Sequence, residues 1–234
     1  MISSAIPRAA LVTGGTRPFG LAIAHALAGA GFAIALQCHA EVTPDIPAGM
    51  VVLPADLSNE SQTVSLLNRA TAALGPVGVL VNSATTVEHD AWDDATRATW
   101  DMHIETNLRA PFVLIQQFAK ALCPPHEGVV INLLDQRITP RLVSYTLSKA
   151  ALWTLTQTMA LALAPRIRVN GIDPNGLARG TARGPAHEQS TEACDDASPY
   201  EVAKDVANAT LAILALPSMT GQMIVPNGVP RSDA

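Results

Sequence analysis

The sequence has little of several features that mark particular classes of protein. Its three cysteines, Cys38, Cys123 and Cys194, are isolated and form neither a disulfide framework nor a metal-ligand cluster. The six histidines show no metalloprotease-type spacing, so no metal site is expected. A Gly-x-Ser-x-Gly motif is also absent, which argues against a serine hydrolase.

Charge and hydropathy argue against two further classes. The formal net charge is −5 and no basic run occurs, so no nucleic-acid partner is expected. No uninterrupted apolar run approaches the roughly 18 residues that span a bilayer, and residues 1–10 lack a signal-peptide pattern. By elimination, the sequence predicts a cytoplasmic protein with no membrane partner.

What the sequence does contain is a regular alternation of short apolar runs and longer helical stretches. Strands are predicted at 9–13, 32–37, 50–54, 77–82, 128–134, 167–170 and 222–225, and helices at 19–30, 59–74, 100–122, 144–163 and 199–216. Because the strand runs lack polar alternation, they are expected to be buried on both faces of a sheet. We predict an α/β fold: a single Rossmann-type doubly wound domain over residues 1–234, with about seven mainly parallel strands flanked by helices.

Two places interrupt this alternation. Pro111 lies inside the predicted helix 100–122 and is expected to kink it. Residues 175–198 are rich in Gly, Ala, Thr and charge and have no clear periodicity. This segment is interpreted either as a substrate loop that closes over a bound molecule or as a disordered surface insertion.

A glycine-rich turn follows the first predicted strand. Residues 13–20 are Thr-Gly-Gly-Thr-Arg-Pro-Phe-Gly and lead directly into a helix. A dinucleotide pyrophosphate requires close backbone approach and amide groups at a helix N-terminus. Gly14 and Gly15 permit the tight turn, and Gly20 would let the helix pack against the strand. Structural turns also use glycine, but the position after the first strand favours a nucleotide cofactor.

Two features favour NADP(H) over NAD as that cofactor. Arg17 is placed to reach the adenosine 2′-phosphate, although it could instead be a solvated turn residue. The second strand ends in Gln37-Cys38-His39, without the acidic residue that would bind an NAD 2′-hydroxyl. The nearest acid, Glu41, lies beyond the expected place.

Tyr145 and Lys149 stand one helical turn apart on the predicted helix 144–163, so their side chains share a face. A free tyrosine, with a pKa of about 10, is a poor base near neutral pH, and a nearby cation would lower that pKa. We expect the pair to exchange a proton with a carbonyl or imine while the cofactor carries hydride. Alone, two surface residues on one face would be the simpler interpretation. The phosphate turn in the same chain argues against it.

Further motifs occur in a fixed order along the chain: Asp56-Leu57, Asn82-Ser83-Ala84, Asn107, Tyr145-x-x-x-Lys149, Arg168-Val169-Asn170, Pro174-Asn175-Gly176 and Thr220-Gly221-Gln222. Together they resemble the short-chain dehydrogenase/reductase family from Ala9 to about Gly228. The resemblance implies a nicotinamide-dependent oxidoreductase that acts on a small-molecule substrate. It also implies a homodimer or homotetramer.

The resemblance implies roles for individual positions. The cofactor would be bound by Gly14, Thr16, Arg17, Phe19, Gly20, His39, Asp56, Leu57, Asn82, Ser83, Ala84, Tyr145, Lys149, Pro174 and Gly176. Tyr145 would be the acid or base, and Lys149 would bind the nicotinamide ribose and tune the tyrosine. Asn107 would help to hold a water-linked proton relay.

Departures from the family pattern bear on the substrate. Pro18 stands where the family's phosphate turn usually has glycine, and pteridine reductases also lack that glycine. The usual Asn-Ala-Gly is here Asn82-Ser83-Ala84, followed by Thr85. The family's catalytic serine is replaced by Asp135, which matches the aspartate of pteridine reductases, although its interval to Tyr145 is a few residues shorter than usual. Ser144 is a poor substitute for that serine.

Asp135 therefore has two interpretations. As the fourth catalytic residue it would orient a ring-nitrogen substrate or share the proton relay, with a raised pKa that lets it donate. Alternatively it caps the turn after the strand. Arg137 and Arg141, in the same loop, either stabilise an acidic group or are solvated, and His103 is interpreted as a packing or surface residue.

The leading hypothesis is an NADPH-dependent reductase that transfers hydride to a carbonyl or imine, with a pteridine such as a dihydropterin as the favoured substrate. One alternative is an alcohol or ketone dehydrogenase of the same family. The other is a catalytically silent nucleotide-binding sensor or scaffold.

Overall fold

In the computed structural model, which describes residues 2–39, 46, 48–174 and 199–226, buried strands alternate with helices. The strands are β1 (Ala9–Thr13), β2 (Ala33–Cys38), β3 (Val51–Pro54), β4 (Val79–Asn82), β5 (Gly128–Leu133), β6 (Ile167–Ile172) and β7 (Met223–Ile224). The helices are α1 (Pro18–Gly29), α2 (Glu60–Leu74), α3 (Arg97–Ile104), α4 (Ala110–Ala121), α5 (Val143–Leu163) and α6 (Pro199–Ala215), with a π-helical turn at Glu105–Arg109. The predicted loop 175–198 lies outside the described residues, as do Glu41 and the predicted cofactor residue Gly176.

The seven strands form one parallel sheet in the order β3-β2-β1-β4-β5-β6-β7. The strand order reverses between β1 and β4, and ligands of doubly wound sheets bind at the carboxyl ends of the strands beside this reversal. The register places Thr13 of β1, Asn82 of β4 and Asn132 of β5 side by side there. The predicted doubly wound α/β fold is confirmed.

Apolar side chains pack on both faces of this sheet, which explains the uninterrupted hydrophobic runs of its strands. In β1, Val12 belongs to the layer that contacts α1 and α6, whereas its neighbour Leu11 belongs to the layer that contacts α2 and α4. This alternation follows from the two-residue period of a strand. Within the described ranges, no helix combines the length and hydropathy needed to cross a membrane.

Most predicted boundaries lie within two residues of the observed ones, and tertiary contacts explain the largest differences. β4 begins at Val79 rather than at residue 77. Gly78 lies so close to Pro7 that an added Cβ would come within 2.3 Å of the Pro7 carbonyl oxygen. β6 continues past the predicted end at residue 170, because Gly171 pairs with Asn132 and leaves room for the Leu134 side chain.

The predicted helix 100–122 is divided, but not by a simple kink at Pro111. α3 begins earlier, at Arg97, where Thr96 forms a capping box with Thr99. The interruption is the π-helical turn Glu105–Arg109, in which the Ala110 N–H donates to the Glu105 carbonyl. Pro111 has no N–H to return to the carbonyl of Asn107, so the helix widens in the turn before the proline.

A chain of buried side chains connects the central strands to α5. The Asn82 amide Nδ2 donates to Asn132 Oδ1 at 2.8 Å, and Asn132 Nδ2 donates to Thr156 Oγ1 at 2.8 Å. The Thr156 hydroxyl in turn donates to the Leu152 carbonyl within α5. These bonds hold α5 against β5. Water does not compete for them, because all three side chains are buried.

We expect Thr156→Val to destabilise the fold by about 1–3 kcal/mol, because a near-isosteric side chain leaves the buried Asn132 amide without its acceptor. Urea denaturation measures the free energy of unfolding. Thr154→Val, an exposed position on the same helix, is the matched control and should change stability by less than about 0.5 kcal/mol. Equal losses in the two variants would contradict the role of the buried chain.

Candidate active site

A cleft of about 380 Å³ opens at the carboxyl ends of β1 and β4. This volume falls within the range of small-molecule sites, about 300–1,000 Å³. The predicted cofactor residues that line it are Gly14, Thr16, Arg17, His39, Asp56, Leu57 and Ala84. Thr86, Met102 and Thr106 close its other end. The cleft therefore lies at the reversal of strand order, where the fold favours a nucleotide.

The turn after β1 has no room for a side chain at Gly14 or at Gly20. Gly14 has φ of +59°, and a Cβ there would lie 2.8 Å from the Ala84 Cα. A Cβ on Gly20 would lie 2.4 Å from the Gly14 carbonyl oxygen. Pro18, in place of the usual glycine, begins α1, a position that needs no N–H. The first-turn amides, including that of Phe19, have no intrahelical acceptor and suit an anion.

Gln37, which the sequence identified only as a non-acidic residue, holds this turn in place through hydrogen bonds. Its Oε1 accepts the Gly14 N–H at 2.8 Å, and its Nε2 donates to the Ala55 carbonyl at 2.7 Å. Its own carbonyl accepts the Gly15 N–H at 3.0 Å. A polar side chain at the end of a fully buried strand was the signal that could have identified it.

The outer end of the cleft carries charged side chains. Arg17 is exposed there, and His39 Nδ1 lies 3.8 Å from Asp56 Oδ1. The Ser58 hydroxyl donates to the Asp56 carboxylate at 2.7 Å and lowers the pKa of Asp56. The cleft therefore presents an exposed guanidinium from Arg17, a group suited to bind a phosphate, and a carboxylate acceptor from Asp56.

Two buried polar atoms at the end of β4 have no hydrogen-bond partner within the described residues. They are Asn82 Oδ1 and Ser83 Oγ. Both precede Ala84, which lines the cleft, and buried polar atoms of this kind are usually satisfied by a ligand or water. Together with the packed turn and Arg17, these atoms fit the binding of a phosphorylated dinucleotide. Pro174 is described and buried just beyond β6.

Tyr145 and Lys149 share one face of α5, and both side chains are buried. The Tyr145 hydroxyl donates to Asp135 Oδ2 at 2.9 Å. Lys149 Nζ donates to the Leu133 carbonyl at 3.1 Å and lies 6.0 Å from the centroid of the Tyr145 ring. Asp135 therefore reaches the tyrosine despite the shortened interval between them, which the loop after β5 accommodates.

Asp135 has an electrostatic environment opposite to the one suggested by the sequence. Burial alone would raise the pKa of Asp135, but hydrogen bonds and charge from Arg137 outweigh it and lower that pKa overall. The interpretation of Asp135 as an acid with a raised pKa is therefore wrong. Asp135 also caps its own turn, since its Oδ1 accepts the Arg137 N–H at 3.0 Å.

The pKa of Tyr145 likewise moves against expectation. Burial raises it, and the neighbouring Asp135 carboxylate raises it further. The expectation that a cation lowers it overall is wrong, because the lowering effect of Arg137 is outweighed by burial and by the Asp135 carboxylate. Burial lowers the pKa of Lys149 to about 8, against the opposing influence of Asp135 and Asp173. Tyr145 is thus a protonated phenol near neutral pH.

Asn107 connects the cleft to the helix that carries the tyrosine. Its Oδ1 accepts the Thr86 N–H at 2.9 Å, and its Nδ2 donates to the Thr86 carbonyl at 2.9 Å. The same Nδ2 lies 3.2 Å from the hydroxyl of Ser148, between Tyr145 and Lys149 in α5. The Asn107 side chain is therefore engaged in holding the loop after β4. Pro111, four residues on, has no N–H to donate to the Asn107 main-chain carbonyl.

A buried polar cluster behind Tyr145 was missed at the level of sequence. Asp90 accepts the N–H of Ser144 at 3.1 Å and also its hydroxyl, so it caps α5 from a distant loop. His103 Nδ1 lies 2.6 Å from Ser144 Oγ, and its Nε2 accepts the Glu88 N–H at 2.9 Å. The His103 ring meets the Tyr145 ring edge-on at 5.9 Å. Ser144 does not replace the missing serine, as expected, and His103 is a buried hydrogen-bonded residue.

Comparison with known proteins defines the class. The short chain dehydrogenase family model matches residues 8–190. L-xylulose reductase from Bos taurus is 30% identical over 235 residues, which cover 95% of this chain and 94% of that protein. The chain therefore belongs to the short-chain dehydrogenase/reductase family, and it is an oxidoreductase that acts on small molecules. The family predicted from the sequence motifs is confirmed.

Two solved structures are similar over almost the whole chain. FolM alternative dihydrofolate reductase 1 from Brucella canis, complexed with NADP, is 32% identical with a TM-score of 0.77; the match covers 97% of this chain and 95% of that one. The corresponding protein from Brucella suis, also in complex with NADP, is 33% identical with a TM-score of 0.76, over 94% and 93% of the two chains.

We expect Arg17→Met to weaken NADPH binding by about 10- to 100-fold, because a hydrogen bond to a charged phosphate is worth about 1.5–3 kcal/mol. NADH has no 2′-phosphate, so its affinity should change by less than about threefold. Fluorescence titration with each nucleotide measures both affinities. Arg97→Met, which removes an exposed arginine of α3, is the control. An equal loss for NADPH and NADH would contradict the assignment of Arg17.

Proposed function

We propose that the protein is an NADPH-dependent reductase that delivers hydride to a carbonyl or imine carbon, with a dihydropterin as the favoured substrate. The observation that carries this proposal is the buried hydrogen bond from the Tyr145 hydroxyl to the Asp135 carboxylate, at 2.9 Å. It joins a protonated phenol to an ionised acceptor where the strands end beside α5. This pair can supply one proton to a substrate and accept hydrogen bonds from it.

The cofactor is NADP(H), and its recognition follows from the cleft. The proposed binding residues are Gly14, Thr16, Arg17, Phe19, Gly20, His39, Asp56, Leu57, Asn82, Ser83, Ala84, Tyr145, Lys149, Pro174 and Gly176, the last of which lies outside the described residues. The presence of Arg17 and the neutral Gln37 at the cleft supports NADP(H) over NAD. Similar proteins from two Brucella species were solved with NADP.

Tyr145 is the proposed proton donor. Because its pKa is raised, the hydroxyl keeps its proton near neutral pH and can give it to a carbonyl oxygen or an imine nitrogen. Bound NADPH supplies the hydride that reaches the adjacent carbon. The phenolate that results is stabilised by the Lys149 ammonium, 6.0 Å from the ring centroid. Lys149 would also hold the nicotinamide ribose.

Asn107 is proposed to assist the return of a proton to Tyr145. Its side chain is engaged with Thr86 and Ser148. The group that can hold a water of the relay is therefore its main-chain carbonyl, opposite Pro111. This carbonyl belongs to the π-helical turn Glu105–Arg109.

The Asp135 carboxylate favours a substrate that presents N–H donors beside the reducible bond. An aminopyrimidine ring of a pterin has such donors, whereas a simple ketone offers only an acceptor to the proton donor. The similarity to FolM alternative dihydrofolate reductase 1 from Brucella canis supports the same class. The second candidate is a ketone or sugar reductase, which the similarity to L-xylulose reductase favours. A homodimer or homotetramer and a cytoplasmic location remain predictions.

Tyr145→Phe removes the proposed proton donor and should lower kcat/KM by about 10²–10⁴ while NADPH affinity changes little. The oxidation of NADPH, followed by absorbance, measures the loss. Tyr200→Phe replaces the second tyrosine of the chain and is the matched control, which should retain activity. Unchanged turnover in Tyr145→Phe would overturn the mechanism.

A substrate panel separates the candidates. We expect dihydrobiopterin or dihydrofolate to be reduced with a kcat/KM about tenfold or more above that of simple ketones and ketoses. The reason is that the Asp135 carboxylate would accept hydrogen bonds from the N–H groups of the pterin ring. Asp135→Ala should remove this preference while ketone reduction persists. Turnover of ketones alone would select the second candidate. Tight NADPH binding without any turnover would indicate a sensor or scaffold.

A further inference from the structure

Arg137 closes on Asp135 from the side opposite the protein interior. Its Nε lies 3.0 Å from Asp135 Oδ1 and 3.1 Å from Oδ2, and a terminal guanidinium nitrogen lies 2.7 Å from Oδ2. The Asp135 side chain is 2% exposed, whereas that of Arg137 is 47% exposed. A half-exposed arginine therefore covers a buried carboxylate and uses both of its oxygens.

One oxygen of this carboxylate also accepts a hydrogen bond from the proposed proton donor. Asp135 Oδ2 accepts both the Arg137 guanidinium and the Tyr145 hydroxyl. A buried carboxylate without a cation tends to take up a proton, because burial disfavours its charged form. Once protonated, it could no longer serve as a pure acceptor for the tyrosine. Arg137 removes this conflict by supplying the charge that keeps Asp135 ionised.

The other charged and titratable groups around this pair act differently. Lys149 donates to the Leu133 carbonyl, and Asp173 accepts the Gln136 N–H. Burial lowers the pKa of His103, which contacts the Tyr145 ring, and Asp90 is hydrogen-bonded to Ser144 behind it. In the part of the chain that the structure describes, Arg137 is the cation hydrogen-bonded to Asp135.

We propose that Arg137 is a positioning residue for the proton donor: it holds Asp135 as an ionised acceptor for the Tyr145 hydroxyl and offsets the negative charge beside the phenol. The inference rests on the proposed function, in which Tyr145 is the donor. Arg141, in the same loop, is exposed and contributes its main-chain carbonyl to the Asp90 N–H. The structure thus separates two arginines that the sequence left equivalent.

The consequence is that Asp135 keeps one protonation state across the neutral range. Arg137 lowers the pKa of Asp135, so this carboxylate stays ionised at neutral pH and at more acidic pH than an ordinary aspartate does. Without the guanidinium, only the Tyr145 hydrogen bond still opposes the effect of burial, and the pKa of Asp135 rises. The acceptor of the Tyr145 hydroxyl is then lost as the pH falls through that higher value.

The test follows the Asp135 carboxyl directly, by carbon NMR of labelled aspartate side chains in the full-length protein, with Asp135→Asn to assign the signal. In Arg137→Met the titration midpoint should rise by about 1–3 pH units, as expected when an adjacent opposite charge is removed. Arg137→Lys should restore most of the wild-type midpoint, and Arg141→Met should retain it. The acid limb of the kcat/KM profile should move with the midpoint in Arg137→Met alone.

An unchanged midpoint in Arg137→Met, or an equal rise in Arg141→Met, would overturn the inference. If Arg137→Met does not fold, Arg137→Gln removes the charge while keeping a hydrogen-bond donor and takes its place. The carboxyl titration needs neither substrate nor turnover. Its failure is therefore distinguishable from failure of the proposed function, which the Tyr145→Phe kinetics would reveal.

Discussion

The hydrogen bond between the Tyr145 hydroxyl and the Asp135 carboxylate joins the loop after β5 to the first turn of α5. Its geometry depends on how α5 is held. Asp90 caps the helix from the loop after β4, and Thr156 ties its middle to the central strands through Asn132. The position of one phenol oxygen is thus determined by three segments far apart in sequence.

Charges of both signs surround this bond in a mostly buried environment. The carboxylates of Asp135 and Asp173 oppose the cations of Arg137 and Lys149. Because two charges of each sign are present, their mutual attraction offsets part of the desolvation penalty of burying them. Local differences still matter: the nearest group to the phenol is negative, so the tyrosine keeps its proton.

The sheet and the Tyr145–Lys149 pair were predictable because they follow from short-range geometry. Runs buried on both faces indicate parallel strands, and a four-residue interval places two side chains on one helical face. The directions of the pKa shifts were not predictable, since they depend on the burial of Tyr145 and Lys149 and on Arg137 folding back over Asp135. The cap from Asp90 and the brace from Gln37 also join residues distant in sequence. The position of the π-helical turn required knowing which carbonyl Pro111 leaves without a donor.

Gln37 has a consequence for the energetics of nucleotide binding. Its side chain connects Gly14 after β1 to Ala55 after β3, so the phosphate turn is held in place before any ligand arrives. Less conformational entropy is then lost on association, and more of the contact energy is expressed as affinity. The cost is that the Gly14 amide is already engaged, so the pyrophosphate must find its donors further along the turn and in the first residues of α1.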